Sequence, residues 1–509
     1  MSARLVGLKR SALSLRHRRN PLGRRGRWAA VMACGALAAL GQAPWGLWPL
    51  TVLMLAGLYA FSRETPGWRR AALLGWVAGT GYFLVALSWI VEPFLVDPLR
   101  HGWMAPFALV FLCMGMALFW ALAFGLARRA GGEALAFAGA FVLAEALRGW
   151  LFTGFPWAQA GHVLIDTGLR FWASMGGAHL LTALVLAGAL GVWHLAAGSR
   201  RAGAGALATL AVLYAAGTVL MPAAGAPADA PVIRLIQPNA AQHEKWDPAL
   251  MPVFFDRQLR FTAAPSAAGR PDLVVWPETA IPTLLNHADA TFGTIAKAAQ
   301  GSPVMLGLRR LDGPRIFNSL VVIDELGMVT ARYDKHHLVP FGEYMPFGGV
   351  MARFGIHGLA AEEGGGYSSG GGPRVIDLGA LGSGLPLICY EGVFPRNINP
   401  VAGKADAMYL VTNDAWFGKV SGPYQHLAQA RLRSAEQGVP MVRVANTGVS
   451  AMIDGAGRVV AHIPLGQAGW LDVALPDALG PTVYARTGDL PMLFLALAFV
   501  AAGFGMRRA

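Results

Sequence analysis

The chain is short of charge. Only 14% of its 509 residues are Asp, Glu, Lys or Arg, against about 25% in a typical soluble protein. That deficit excludes an ordinary soluble globular chain of this length and implies membrane spans. Acidic residues are the scarcer class, 29 against 42 Lys and Arg, which leaves a formal charge of +13. Cysteine is nearly absent, with only Cys34, Cys113 and Cys389. The first two fall inside apolar runs and one is left over, so no disulfide framework is expected. No internal repeat array is visible.

Apolar sequence is what the chain has instead. Hydrophobic residues make up 55% of it, and its mean hydropathy is +0.45. A helix needs about 20 mostly apolar residues to cross a bilayer. Eight segments meet that pattern, at about 28–43, 47–62, 71–92, 104–127, 134–152, 178–197, 204–221 and 490–506. Residues 1–27 are strongly basic and lead into the apolar run Trp28–Leu40. A cleaved signal peptide has a similar plan. Gln42-Ala43-Pro44 is a poor cleavage site, however, and more spans follow at once, so a retained first span is expected.

The basic excess admits nucleic acid as a partner, but its placement argues for membrane topology. With a cytoplasmic N-terminus, the inner loops carry Arg63, Arg69 and Arg70, then Arg128 and Arg129, then Arg200 and Arg201, with Arg507 and Arg508 in the tail. The short outer loops hold only Arg100 and Arg170, beside Glu92, Asp97 and Asp166. Cytoplasmic loops are enriched in Lys and Arg. The expected organisation is a basic cytoplasmic segment 1–27, a transmembrane part 28–221 with about seven helices, an extracytoplasmic α/β domain 222–487, and a last span with a basic tail, 488–509.

The outer segment reads differently. Short β-branched runs bounded by Gly, Pro, Asn and Asp predict strands, among them Val232–Ile236, Leu273–Trp276, Pro303–Leu308, Leu320–Ile323, Leu385–Ile388, Met408–Val411 and Met441–Val444. Hairpins are expected at Asp324–Gly327 and Asp454–Gly457, a helix over His426–Gln437, and a glycine-rich loop over Gly364–Gly372.

Three of these segments end abruptly in reactive residues: Trp276-Pro277-Glu278, Tyr333-Asp334-Lys335 and Cys389-Tyr390-Glu391. Strand ends at the rim of an α/β sheet are where active sites collect. A thiol, an ammonium and a carboxylate can form a nucleophilic site there: the carboxylate takes the thiol proton, and the ammonium favours the thiolate and then the oxyanion. The bland readings are a core cysteine, a turn carboxylate and a solvated lysine. His336 and His337 have the residue type of metal ligands, but neighbours on a strand point to opposite faces, so no metal site is expected. Glu145 and Arg148 stand three apart within a span, either as a structural pair or as a functional one. Trp28, Trp45, Trp48 and Trp103 read as interfacial anchors.

Those three motifs, followed by the stretch Asn446–Asp454, together resemble the carbon–nitrogen hydrolase, or nitrilase, superfamily. The resemblance implies an αββα sandwich with Glu278 as general base, Lys335 as oxyanion stabiliser and Cys389 as nucleophile. The multi-span N-terminal half, the last span, Gly154–Trp157, Lys245–Asp247, Phe317–Ser319 and His336–Pro346 are similar to one family, the apolipoprotein N-acyltransferases. That likeness implies a second carboxylate, Glu343, turned towards Lys335, and supporting roles for Trp246, Asn318, Tyr390 and Glu391. It further implies a phospholipid acyl donor, phosphatidylethanolamine, a diacylglyceryl-modified apolipoprotein as acceptor, no cofactor and no metal, in the bacterial inner membrane with both termini cytoplasmic. Met345, Phe347 and Met351 are read as a packed loop or a lipid-touching lid. The rival readings are a membrane-tethered amidase, which would pass the acyl group to water, and a non-catalytic lipid-binding scaffold.

Overall fold

The computed structural model describes residues 23–223, 225–267, 269–346, 353 and 366–508. Phe347 and Met351, most of the basic N-terminal segment and the first two residues of the glycine-rich loop lie outside these. Helices occupy each of the eight apolar segments: Arg24–Ala38, Trp48–Glu64, Trp68–Ala86, Ala105–Arg129, Ala134–Trp150, Ala173–Ala196, Arg200–Leu220 and Leu490–Arg508. Among the described residues, four helices are long and apolar enough to cross a membrane, or five if Trp68–Ala86 and Ser88–Leu95, bent by 49°, form one span. The rest fall short for visible reasons. Trp48–Glu64 and Ala134–Trp150 have 17 residues each, about 25 Å at 1.5 Å per residue. The second of these also carries Glu145 and Arg148.

Small residues let these helices approach closely. Gly35 lies against the backbone of Ala78, and Gly75 against that of Trp120, where a Cβ would meet a carbonyl oxygen at 1.9 and 2.4 Å. Such contacts suit helices that must gain their packing from van der Waals contact. Tyr82, Trp120, Phe124, Phe137 and Phe141 fill the interior.

Between the helices Arg200–Leu220 and Leu490–Arg508 the chain builds two six-stranded sheets. The first runs β12-β1-β2-β3-β4-β5, with β1 Val232–Gln237, β2 Leu273–Val275, β3 Val304–Asp312, β4 Arg315–Ile323, β5 Val329–Asp334 and β12 Gly469–Ala474. The second runs β11-β10-β9-β8-β7-β6, with β6 Ile376–Asp377, β7 Ser383–Ile388, β8 Ala407–Thr412, β9 Met441–Ala445, β10 Ser450–Ile453 and β11 Val459–Ile463. In each sheet three consecutive central strands are parallel, β1-β2-β3 and β7-β8-β9. Both expected hairpins form, β4-β5 and β10-β11.

Alternate residues of these strands face opposite ways, which sorts the apolar side chains into layers. Leu235, Val275 and Met305 meet Tyr409, Val411 and Val444 between the sheets. Val274, Trp276 and Leu306 instead pack outward on Phe292 and Ile295 of the helix Asp289–Ala299. Leu387, Met408 and Leu410 pack outward on Ala430 of the helix Gly422–Gln437. The result is the expected four-layer αββα sandwich. Ala428, Leu432 and Ala435 of that last helix join the core of the helical part, so this layer is shared.

Candidate active site

Glu278 follows β2, Lys335 follows β5 and Cys389 follows β7, so all three stand at strand ends. They are 6%, 1% and 6% exposed. Cys389 opens a tight 3₁₀ turn, Cys389–Val393, with φ +51°. A non-glycine residue in that region carries about 1–3 kcal/mol of backbone strain, and the surroundings must hold it. Glu391 does so: fully buried, it accepts the backbone N–H of Ile388 at 2.8 Å on one oxygen. Its other oxygen takes the Tyr333 hydroxyl at 2.9 Å and the backbone N–H of His336 at 2.8 Å. One carboxylate thus ties the cysteine turn to the loop that carries Lys335.

The ammonium of Lys335 lies 2.8 Å from Glu343 Oε1 and 3.7 Å from Glu278 Oε1. Burial alone would strip its proton, but the two carboxylates and the neighbouring cysteine hold it above the ordinary lysine range. Asn318 reaches both carboxylates, donating at 2.7 Å to Glu278 Oε1 and at 3.2 Å to Glu343 Oε1. Asn413 N–H donates at 2.8 Å to Glu278 Oε2, and Val339 N–H at 2.8 Å to Glu343 Oε2. Gly307 of β3 lies against the Glu278 backbone, where a Cβ would sit 2.7 Å from Glu278 Cα. Burial, and then Glu278, pushes the Cys389 thiol up, while Lys335 pulls it down. Burial and the nearby Glu278 carboxylate thus both favour the neutral thiol over the thiolate.

Tyr390 and Trp246 lie in two different places. Tyr390 is buried, with its ring against His337 and Phe394 and its hydroxyl 3.4 Å from the carbonyl of Gly154 in the helical part. Trp246 is 37% exposed at the other edge, with the Lys245 ammonium and the Arg309 guanidinium over its ring at 5.2 and 5.4 Å. Lys245 donates to the carbonyl of Glu278 at 3.2 Å, and its own burial lowers its pKa to about 8.

One sequence expectation needs correction in its reasoning. The sequence puts His336 and His337 on a strand, but β5 ends at Asp334. Their rings nonetheless take separate partners: His336 sits 2.6 Å from Glu391, and His337 stacks on Phe394 at 3.9 Å. Glu145 and Arg148 do pair, at 3.9 Å, and their work is structural. Arg148 donates to the carbonyls of Phe155 and Trp157, both at 2.6 Å, and Glu145 accepts from Ala160 N–H and the Thr182 hydroxyl. The pair thereby holds the Gly154–Trp157 loop, whose Trp157 donates to Gln425 of the sandwich at 2.7 Å. A cavity of about 470 Å³ opens at this seam, lined by Phe152, Thr153, His336, His337, Tyr367 and Arg396.

Sequence reading missed Thr412, Asn413 and Asp414 at the end of β8, and Tyr367, whose N–H donates to the Glu343 carbonyl at 2.8 Å. The first three follow the apolar run Met408–Val411, the same strand-then-polar pattern that singled out Glu278, Lys335 and Cys389. Tyr367 lies in a glycine-rich stretch and gives no such signal.

This fold and site define a carbon–nitrogen hydrolase domain joined to a helical part: residues 238–482 match the family model for carbon-nitrogen hydrolases, and residues 34–191 that for the apolipoprotein N-acyltransferase N-terminal domain. An amidase from Nesterenkonia sp., of solved structure, is 19% identical, with a TM-score of 0.38 over 53% of this chain and 98% of that one. The chain is 36% identical to the apolipoprotein N-acyltransferase of Brucella melitensis over 94% of its length and 95% of that protein's. It is 37% identical to that of Sinorhizobium fredii, over 88% and 90%. The chain belongs to the apolipoprotein N-acyltransferase family.

Proposed function

We propose that this chain transfers a fatty acyl chain from a membrane phospholipid to the α-amine of the diacylglyceryl-cysteine at a lipoprotein N-terminus, by way of a thioester on Cys389. The observation that carries the proposal is the convergence of Cys389, Glu278 and Lys335 at three strand ends in a chain of this family. Glu278 takes the thiol proton, and the thiolate attacks an ester carbonyl of the donor, with phosphatidylethanolamine the favoured headgroup. Lys335 and the backbone N–H of Tyr390 stabilise the oxyanion, a role in which each donor is worth about 10²–10³ in rate. Glu278 returns the proton to the leaving alkoxide, and a lysophospholipid departs. It then accepts a proton from the attacking amine and gives it to the departing thiolate, which restores the thiol. Glu343 fixes the Lys335 ammonium, Asn318 spaces the two carboxylates, and Glu391 holds the cysteine turn.

The helical part carries the site at the bilayer surface so that both lipid substrates enter sideways. The reading is of eight spans, with the sandwich, residues 222–487, outside the cytoplasm and both termini inside. The tethered amidase is the weaker reading, since one span suffices for a tether and family membership favours the acyltransferase.

The test is intact-protein mass spectrometry of the purified chain mixed with phosphatidylethanolamine, beside Cys389→Ser. A fatty-acyl mass increment that is absent from the serine variant and discharged by a diacylglyceryl peptide with a free amine is expected. Folded protein that gains no increment, or discharges it only to water, sinks the proposal.

A further inference from the structure

The acyl-transfer scheme leaves a buried polar cluster behind Cys389 unused. Thr412, Asp414, His426 and Arg443 are each at most 1% exposed. Asp414 Oδ1 accepts from His426 Nδ1 at 2.9 Å and from the Thr412 hydroxyl at 2.9 Å, while Oδ2 accepts from Arg443 at 2.6 Å. Burial alone would raise the Asp414 pKa, but Arg443 and His426 hold it well below the usual carboxylate range. A permanent buried anion is an acceptor only, so the neighbouring hydroxyl must donate to it.

Strand register connects this cluster to the chemistry. β7 and β8 run parallel with Ile388 opposite Val411. The next residues, Cys389 and Thr412, therefore stand side by side at the rim, where the Thr412 hydroxyl is one of the groups that pull the Cys389 thiol down. A hydroxyl has one hydrogen to give, and Asp414 and the sulfur compete for it. A thiol or thioester sulfur is a weak acceptor, so Asp414 wins. A thiolate is a strong acceptor, and Asp414 keeps its His426 and Arg443 donors when the hydroxyl leaves.

Resting on Cys389 as the nucleophile, we propose that Thr412 is a switchable hydrogen-bond donor to the Cys389 sulfur, parked on Asp414 while the sulfur is neutral and turned onto it when it becomes a thiolate. The hydrogen never leaves Thr412, and Glu278 remains the base. Negative charge reaches the sulfur twice, before attack on the donor lipid and when the amine expels it, so one rotor serves both half-reactions. Asp414, His426 and Arg443 are positioning residues that hold the hydroxyl ready.

The experiment follows the rate of iodoacetamide alkylation at Cys389 by peptide mass spectrometry over a neutral-to-alkaline pH series, with full-length protein in lipid nanodiscs. Glu278, Lys335 and Asp414, the charged groups facing the sulfur, stay unaltered. Thr412→Val is expected to move the midpoint up by about one pH unit, the ordinary worth of a hydrogen bond to a charged group, and Thr412→Ser to restore it. Thr412→Ala, which leaves space rather than a methyl beside Asp414, is expected to move it the same way. Melting temperatures identify which variants fold. A parental midpoint in a folded valine or alanine variant, or a serine midpoint as high as theirs, overturns the proposal. Alkylation uses neither lipid nor lipoprotein, so failure here leaves the acyl-adduct result standing, and the reverse holds.

Discussion

Two adjacent histidines in the Lys335 loop respond to acid in opposite directions. Burial would lower His336, but its contact with Glu391 raises it above the ordinary value of 6.5. It therefore adds stability that is present below pH 6.5 and lost as pH rises through its folded pKa. His337 is lowered to about 4, first by burial and then by Arg396. Above pH 6.5 it is neutral folded or unfolded and contributes nothing. As pH falls from 6.5 to about 4, the unfolded chain takes up a proton that the native ring refuses, so stability falls. His337→Phe keeps the stack on Phe394 and removes this titration. The variant is expected to lose less melting temperature than the parent across that window, by a few degrees, in a pH series of thermal melts. Equal losses in both would show that another group carries the acid sensitivity.

At the scale of elements, the helix Gly422–Gln437 joins the Cys389 turn to the helical part. Arg433 donates to the carbonyl of Val393, the last residue of the cysteine turn, at 3.0 Å and to Glu436 at 2.8 Å. Glu436 accepts in turn from the N–H of Ala178 at 3.1 Å, just past the break at Gly176 and Gly177 in the helix Ala173–Ala196. Removing one partner of a buried ion pair costs about 3–5 kcal/mol, whereas replacing both with apolar residues is often nearly neutral. Arg433→Met is therefore expected to lower stability by about that amount, and Arg433→Met with Glu436→Leu to recover most of it. Denaturant melts of the two variants measure this, and a double variant no better than the single one would disprove the pairing. This tie was not legible in the sequence, where His426–Gln437 reads only as a helix. Elements whose signal is local were legible: seven strands from their β-branched runs, and both hairpins from the turns Asp324–Gly327 and Asp454–Gly457. β6 and β12 were not, because a strand of two residues, Ile376–Asp377, and an edge strand interrupted by Asp472 carry little pattern of their own. The three strand-end residues were visible because chemistry-bearing side chains follow apolar runs abruptly. Asn413 and Thr412 follow one just as abruptly, but an amide and a hydroxyl draw less notice than a thiol.

For the whole molecule, the two ends of the helical part differ in what they touch. One end meets the sandwich: Asp166 pairs with Arg431 at 2.5 Å, Arg170 donates to the carbonyl of Ala456 at 3.0 Å, and Gln425 donates to the carbonyls of Ala43 and Ala86. The other gathers arginines with few acids. Arg63 lies 3.1 Å from Glu133, and Arg507 donates to the carbonyl of Arg129 at 2.6 Å. Arg63, Arg129 and Arg507, assigned inside from the sequence, thus make their contacts within the helical part, whereas Asp166 and Arg170, assigned outside, meet the sandwich. Arginine-rich loops favour the cytoplasm, so the sandwich is expected on the opposite side. Glu325, exposed in the β4-β5 turn, and Arg200, exposed where the helix Arg200–Leu220 begins, report the two sides. In cells whose outer membrane has been permeabilised, a membrane-impermeant maleimide is expected to label Glu325→Cys and to spare Arg200→Cys until the inner membrane is broken. Cys34, Cys113 and Cys389 are intermediate or buried, and the parent chain sets their background. The reverse pattern would put the sandwich in the cytoplasm, where a lipoprotein N-terminus displayed on the outer face could not reach Cys389. Labelling of both sites in intact cells would mean an odd number of crossings between Arg200 and Glu325 is wrong, and with it the span assigned to Arg200–Leu220.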